Sequence, residues 1–404
     1  MLLKDKQGRW PELLKKSRYF AAAVVIFVAG VGFGNGTLNL NMRSGPAPVA
    51  SGLPATLNYS SLDEVYQALK DNYNGQLTEQ QLIDGMKHGL AEATKDPYTV
   101  YFTAREAKDF NDQLNNSFAG IGARLSKDSD GNLIIGEAIA GFPAAKAGLL
   151  KNDIIIEVNG EQTSTLTLDD AIAKIRGPVG SQVKLKIVRD KSQTLDFTIT
   201  RETINLPSVT TKILSGNIGY VEIGSFSSDT SSLMQKAAQQ FKDAGVKGVI
   251  VDLRNDPGGL LEAAVNVSSL WLPSGTNVLQ ERRGSTVTQS YSSVGNDILH
   301  GIPTVVLINE GSASAAEITA GALHDNKAAY LIGTKSYGKG VVQQLINLSD
   351  GGQLKVTVAS WYRPDGQNIN HKGITPDKIV KISDADAKAA KDPQLEAALA
   401  YLNK

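Results

Sequence analysis

The sequence predicts an α/β protein, and three observations predict it. Past Leu206, apolar runs that read as strands alternate with runs that read as helices; residues 117–201 hold short strands between turns; residues 61–116 keep a helical period. At 404 residues the chain is too long for one ordinary core, so two or three domains are expected. Lys and Arg total 41, as do Asp and Glu, so net charge gives no electrostatic case for nucleic acid. Without cysteine there is no disulfide, no thiolate nucleophile and no sulfur-ligated metal.

In chain order, a basic segment, residues 1–18, precedes the uncharged "YFAAAVVIFVAGVGFG", residues 19–34. Its 16 residues fall between a signal-peptide core of about 7–15 and a spanning helix of about 17–25. The following "NGTLNLNMRSG" offers no clear small-x-small cleavage site, so an uncleaved anchor is expected. Basic residues stay in the cytoplasm, which makes the chain single-pass and puts the rest on the extracytoplasmic face of the cytoplasmic membrane, on the periplasm or cell-envelope side. Cleavage would instead release a secreted form. Residues 35–60, rich in Gly, Pro, Ser and Asn, read as a linker. In 61–116, Leu62, Val65 and Leu69 share a helix face, and Thr78 and Gln81 are spaced as a capping box.

Between 117 and 201, "DIIIEVNG" ends in an Asn-Gly turn, while "VKLKIVR" and "LDFTITR" alternate apolar with polar residues. One clear helix interrupts them: in "TLDDAIAKIRG", Thr167 can cap, and Leu168, Ile172 and Ile175 share a face. These residues resemble a PDZ domain. "FAGIGARL" is similar to its carboxylate loop and first groove strand, and "GFPAAKAGLLKNDIIIEVNG" to its core turn. The resemblance implies that an extended peptide adds as a strand, its carboxylate received by N–H groups of Ala119, Gly120, Ile121 and Gly122, with Leu168 and Ile172 along the groove. By itself "GIG" is more often a plain turn. Arg176, at the end of the groove helix, is a solvated charge by default and a candidate contact with the neighbouring core.

Residues 206–380 alternate strand and helix, which implies a sheet with parallel members and right-handed crossovers. Two loops fall at carboxyl ends of its strands, where sites form: "RNDPGG" after "VIVDL", and "NEGSAS" after "TVVLI". Ser314 would stand where a buried strand turns into a helix, near the free N–H groups of the first turn. A serine hydroxyl needs a base. His88 lies in the helical region, His300 in a surface-like stretch, and His324 is ten residues along the same helix, about 15 Å away. His371 in "NINHKGI" and Lys339 in "GTKSYGKGVVQQ" remain as bases. A lysine base must be neutral, against a reference pKa of about 10.4, which an apolar pocket can bring about. Gln343 can orient its amine without adding charge. Gly258 and Gly259 leave N–H groups for an oxyanion beside that of Ala315. Taken singly, "PGG" is usually a turn, a serine at a helix start a cap, and Lys335 or Lys339 a surface charge.

In order along the chain, "DPYTVYF", the PDZ-like module, "IGYVEIGSFS", "VDLRNDPGG", "GSASAAEI", "GTKSYGKGVVQ" and "GITPD" resemble the carboxy-terminal processing peptidases, serine peptidases that include the tail-specific proteases. The resemblance implies a crotonase-like core, of the ClpP/crotonase type, into which the PDZ domain is inserted. It also implies a dyad with Ser314 as nucleophile, Lys339 as general base and Gln343 in support, and oxyanion donors at Ala315 and one glycine of the Gly258–Gly259 pair. Substrates would be proteins or peptides with exposed, apolar C-termini, cleaved through an acyl-enzyme with no metal or cofactor. A membrane-tethered PDZ scaffold with an inert core is the rival from another class, and a hydratase or thioesterase would be fold analogy alone. Residues 381–404 read as a C-terminal helix; with the 62–115 helices they are candidates for pairing into a homo-oligomer, packing on their own chain being the default.

Overall fold

The computed structural model describes residues 53–190 and 192–403. The basic segment, the apolar segment 19–34 and most of the 35–60 linker lie outside the described residues, among which no helix is long and apolar enough to cross a membrane. The chain divides into two units, the first ending at Asn74. In the first, helix α1 (Ser60–Asn72) carries Leu62, Val65 and Leu69 exposed.

The second unit starts with α2 (Glu79–Glu92). It is capped as its spacing predicts: the Thr78 hydroxyl accepts the Gln81 N–H at 3.2 Å, and Gln81 Oε1 accepts the Thr78 N–H at 2.8 Å. The 61–116 region, read as helical, carries a short strand among its helices. Strand β1 (Val100–Phe102) stands between α2 and α3 (Ala104–Leu114) and pairs antiparallel with the distant strand Gln353–Tyr362. Its β-branched and aromatic run suits a pleated, half-buried surface, and Tyr101 is buried.

The next segment comprises β2 (Ser117–Gly120), β3 (Ala123–Lys127), β4 (Leu133–Ala138), a short α4 (Pro143–Lys146), β5 (Ile154–Val158), β6 (Glu161–Gln162), α5 (Leu168–Ile175), β7 (Gln182–Arg189), β8 (Gln193–Thr200) and β9 (Glu202–Asn205). One sheet runs β3-β4-β5-β7-β8, with β6 on β5, while β2 and β9 form a separate antiparallel ribbon. Alternation in β7 turns Val183, Leu185 and Ile187 into a core shared with Ile135 and Ile155. Thr167 caps α5 by accepting the Asp170 N–H at 3.1 Å, and Ala171 and Ile175 bury its inner face.

The remainder holds β10 (Val209–Leu214), β11 (Ile218–Ile223), α6 (Thr230–Asp243), β12 (Gly248–Asp252), α7 (Leu261–Ser268), β13 (Asn277–Arg283), β14 (Thr286–Ser292), β15 (Thr304–Ile308), α8 (Ala315–Asp325), β16 (Tyr330–Gly333), β17 (Val341–Asn347), β18 (Gln353–Tyr362) and β19 (Lys378–Ile379). Six strands make a sheet in the order β10-β11-β12-β15-β16-β19, parallel from β11 onward. Every residue of β12 and β15 is buried, because both faces of the sheet are covered. Val249, Val251 and Val306 pack with α6, α7 and α8, whereas Ile250, Val305 and Leu307 pack with the C-terminal helix α10 (Pro393–Leu402), which follows the short α9 (Asp384–Lys388). The C-terminal segment thus packs on its own chain, with Ala398 fully buried. A second, antiparallel sheet runs β1-β18-β13-β14, with β17 also on β18, and Trp361 joins it to the helices.

Candidate active site

The loop after β15 carries two serines with different fates. Ser312 is fully buried; its hydroxyl donates to the Leu253 carbonyl at 2.7 Å and accepts the Asn309 N–H at 2.9 Å. Ser314 lines a cleft of about 430 Å³ and takes φ 53°, ψ −113°, a conformation that costs a non-glycine residue about 1–3 kcal/mol. Neighbours hold it there. The Ala313 N–H donates to the Asp256 carbonyl at 2.9 Å, and Gly258, at φ 94°, lies so close that a Cβ on it would stand 2.8 Å from Ser314 Cβ. Only glycine allows the two turns to meet so closely.

Lys339 reaches the same cleft from the loop after β16. A Cβ on Gly338 would lie 2.7 Å from the Gly373 nitrogen, and one on Gly340 2.5 Å from that of Asn370, so the loop is packed too tightly for larger flanking residues. Its backbone is held by Glu317 of α8. This carboxylate, fully buried, accepts the Ser314 N–H at 2.9 Å, the Lys339 N–H at 3.0 Å, the Gly338 N–H at 2.7 Å and the Ser336 hydroxyl at 2.6 Å. Burial pushes its pKa up, and those four donors oppose the shift. Trp361 Nε1 donates to the Lys339 carbonyl at 2.9 Å.

The Lys339 amine stands 5.1 Å from the Tyr98 ring centre and makes no hydrogen bond among the described residues, to Ser314 or otherwise. Burial holds its pKa below the ordinary lysine range, and the charge of Lys355 adds to this; Asp96 and Glu317 pull the other way. Lys355, on β18, lines the cleft with its amine 5.3 and 5.1 Å from the ring centres of Phe102 and Phe110. Gln343 also lines the cleft, but its amide nitrogen lies 3.4 Å from Thr357 Oγ1 rather than on Lys339.

Of the two glycines, Gly258 already donates its N–H to Asp256 Oδ1 at 2.8 Å. Among the described residues the N–H groups of Gly259 and Ala315 have no acceptor. Gly259, at φ 146°, tolerates no side chain: a Cβ would lie 2.0 Å from the Phe226 carbonyl oxygen. Among the four histidines none lines the cleft, and His371 is exposed.

The peptide-binding residues expected in the 117–201 segment are divided. Ala119 and Gly120 lie in β2, laddered to Thr203 and Glu202. Ile121 is buried and accepts the Ala144 N–H at 2.7 Å, and Gly122 takes φ 71° against Phe142. Among the described residues strand β3 pairs with β4 alone, and α5 packs near it, with Leu168 and Ile172 half-buried. Arg176 places its guanidinium 4.8 Å from the Phe118 ring centre, a contact within this segment.

Sequence reasoning missed Glu317, Asp256, Lys355 and Asp96. A signal existed for Glu317, since Ser314 followed by a glutamate three residues later is a capping-box spacing.

The family model of Peptidase family S41 matches residues 217–380, and that of the PDZ domain residues 134–189. The chain is 37% identical over 344 residues to the carboxy-terminal processing protease CtpA of Bacillus subtilis (strain 168), covering 85% of this chain and 72% of that protein. It is 36% identical over 335 residues to a CtpA-like serine protease of Staphylococcus aureus (strain MRSA252), covering 82% of this chain and 66%, just under two thirds, of that one. Among solved structures, the photosystem II D1 C-terminal processing protease aligns with TM-score 0.50 and 28% identity over 80% of this chain and 87% of its own. An S41 protease from Bacteroides fragilis NCTC 9343 shares the fold, with TM-score 0.55 and 18% identity over 87% and 99%. With a PDZ domain ahead of an S41 peptidase domain, the chain belongs to the carboxy-terminal processing proteases, a family of serine-type peptidases.

Proposed function

We propose that this chain is an endopeptidase with a Ser-Lys dyad, Ser314 the nucleophile and Lys339 its general base, in a crotonase-like core. One observation carries the reading: both residues open into one cleft while a single buried carboxylate, Glu317, holds the backbone of each. A neutral Lys339 takes the Ser314 proton as Oγ attacks the scissile carbonyl, and the oxyanion is received by the Gly259 and Ala315 N–H groups. Lys339 then protonates the leaving amine. It next takes a proton from the water that attacks the acyl-enzyme and returns one to Ser314 as the acid product leaves. Gln343 supports the dyad from the cleft wall. That amine and hydroxyl make no hydrogen bond at rest among the described residues fits a site whose hydrogen bonds tighten only once substrate is bound.

Residues 117–201 serve as the PDZ domain. An unfolded C-terminus adds as a strand to β3, beside Leu168 and Ile172, with its carboxylate at the Ile121–Gly122 turn. Segment 19–34 anchors the chain in the cytoplasmic membrane and puts the peptidase, residues 206–380, on the extracytoplasmic side. Incubating the full chain with unfolded casein tests the dyad. Ser314→Ala and Lys339→Ala are each expected to abolish cleavage; cleavage retained in both overturns the proposal.

A further inference from the structure

Beside the candidate oxyanion donors lies a carboxyl group that the proposed chemistry leaves unused. Asp256 is fully buried, at 0% exposure. Its Oδ1 accepts the Gly258 N–H at 2.8 Å, and its Oδ2 has no partner among the described residues. Its main-chain carbonyl accepts the Ala313 N–H at 2.9 Å. One residue therefore bolts the turn carrying Gly259 to the turn carrying Ser314 and Ala315. An unpartnered buried polar atom is uncommon and costly, which marks this carboxyl for more than filling space.

We infer that Asp256 is a positioning residue for the oxyanion pocket: it fixes the spacing between the Gly259 and Ala315 N–H groups by holding both turns at once. The inference rests on the Ser314–Lys339 reading. The surroundings favour the neutral form. The charged groups on the adjoining turns are engaged elsewhere: Arg254 pairs with Asp252 and Asp392, Glu310 accepts the Thr334 hydroxyl at 2.7 Å, and Glu317 of α8 accepts the Ser314, Gly338 and Lys339 N–H groups and the Ser336 hydroxyl. Burial pushes the Asp256 pKa up to about 8, against the pull of the Gly258 N–H. Below that pH the turn is neutral; above it a carboxylate appears in the loop that must stabilise a developing negative charge, and the rate falls.

The test is the pH dependence of kcat/KM for the full chain on a fluorogenic peptide with an apolar C-terminus. Wild type is expected to lose activity as pH rises through about 8. Asp256→Asn keeps an acceptor for the Gly258 N–H but cannot ionise. It should hold neutral-pH activity within about threefold and lack that alkaline limb, while Asp256→Ala lowers kcat at least about tenfold with KM nearly unchanged. A folded Asp256→Asn enzyme with the wild-type alkaline limb, or without its neutral-pH activity, overturns the inference, as does Asp256→Ala with wild-type kcat. Circular dichroism checks folding; if the alanine variant does not fold, the asparagine profile decides. Failure of the dyad reading is separate, appearing as cleavage that survives in Ser314→Ala and Lys339→Ala.

Discussion

The two sheets of the peptidase region divide the site between them. The parallel sheet, buried on both faces, ends in the turns that carry Ser314, Gly259 and Ala315, groups that must stand still. The antiparallel sheet contributes Lys355, Gln343 and Trp361 along the cleft wall, and the segment before β1 adds Asp96 and Tyr98 beside the lysine. One layer fixes positions; the other sets the electrostatic surroundings of the Lys339 amine. Reactivity in this cleft needs both, and they fail in different ways.

Variants of the parallel layer should remove activity outright. Gly259→Ala drives a methyl group to 2.0 Å from the Phe226 oxygen, so the turn must move. The expected result is a loss in kcat/KM of at least about a thousandfold in a peptide assay. Glu317→Ala strips one acceptor from four donors and frees the backbones of Ser314 and Lys339. A fall in kcat of at least about a hundredfold, with about 3–5 kcal/mol lost in denaturant unfolding, is expected. A kcat near wild type in either variant would break the division of labour.

The antiparallel layer is probed by Lys355→Met. Removing a like charge lets the Lys339 pKa rise, so the acid limb of the kcat/KM profile moves to higher pH while the plateau holds. Lys355→Arg should leave the limb in place. A lowered plateau with an unmoved limb would mean that Lys355 acts on geometry. The smallest effect is expected from Ser312→Ala. Losing the buried bonds to Leu253 and Asn309 costs about 1–3 kcal/mol in thermal unfolding, with kcat/KM preserved in the folded fraction.

The same contrast explains what could be read from sequence. Strands β12 and β15 announce themselves as continuous apolar runs because both their faces are covered, and Ser314 follows from the strand-to-helix junction they create. Strand β14, "TVTQSYS", is largely polar and exposed, and in β17, "VVQQLIN", apolar and polar residues come in pairs instead of alternating, so a strand period marks neither clearly. Lys355 looks like a solvated charge in "QLKVTVASWY" until β1 folds back, pairing it with Val100 and bringing Phe102 and Phe110 around its amine. Which glycine of the Gly258–Gly259 pair keeps an N–H without an acceptor among the described residues is equally hidden. It turns on a bond made by the Asp256 side chain, and no spacing rule predicts that bond.

The four bonds of Glu317 also limit how the enzyme can be turned on and off. Pulling either loop away breaks charge-assisted bonds of about 1.5–3 kcal/mol each, whereas rotating the lysine stem about its own side-chain torsions disturbs none of them. Under the proposed dyad, idle and working forms would share one scaffold and differ in where a four-carbon arm points, a difference that a docked peptide would set by taking up the space around it.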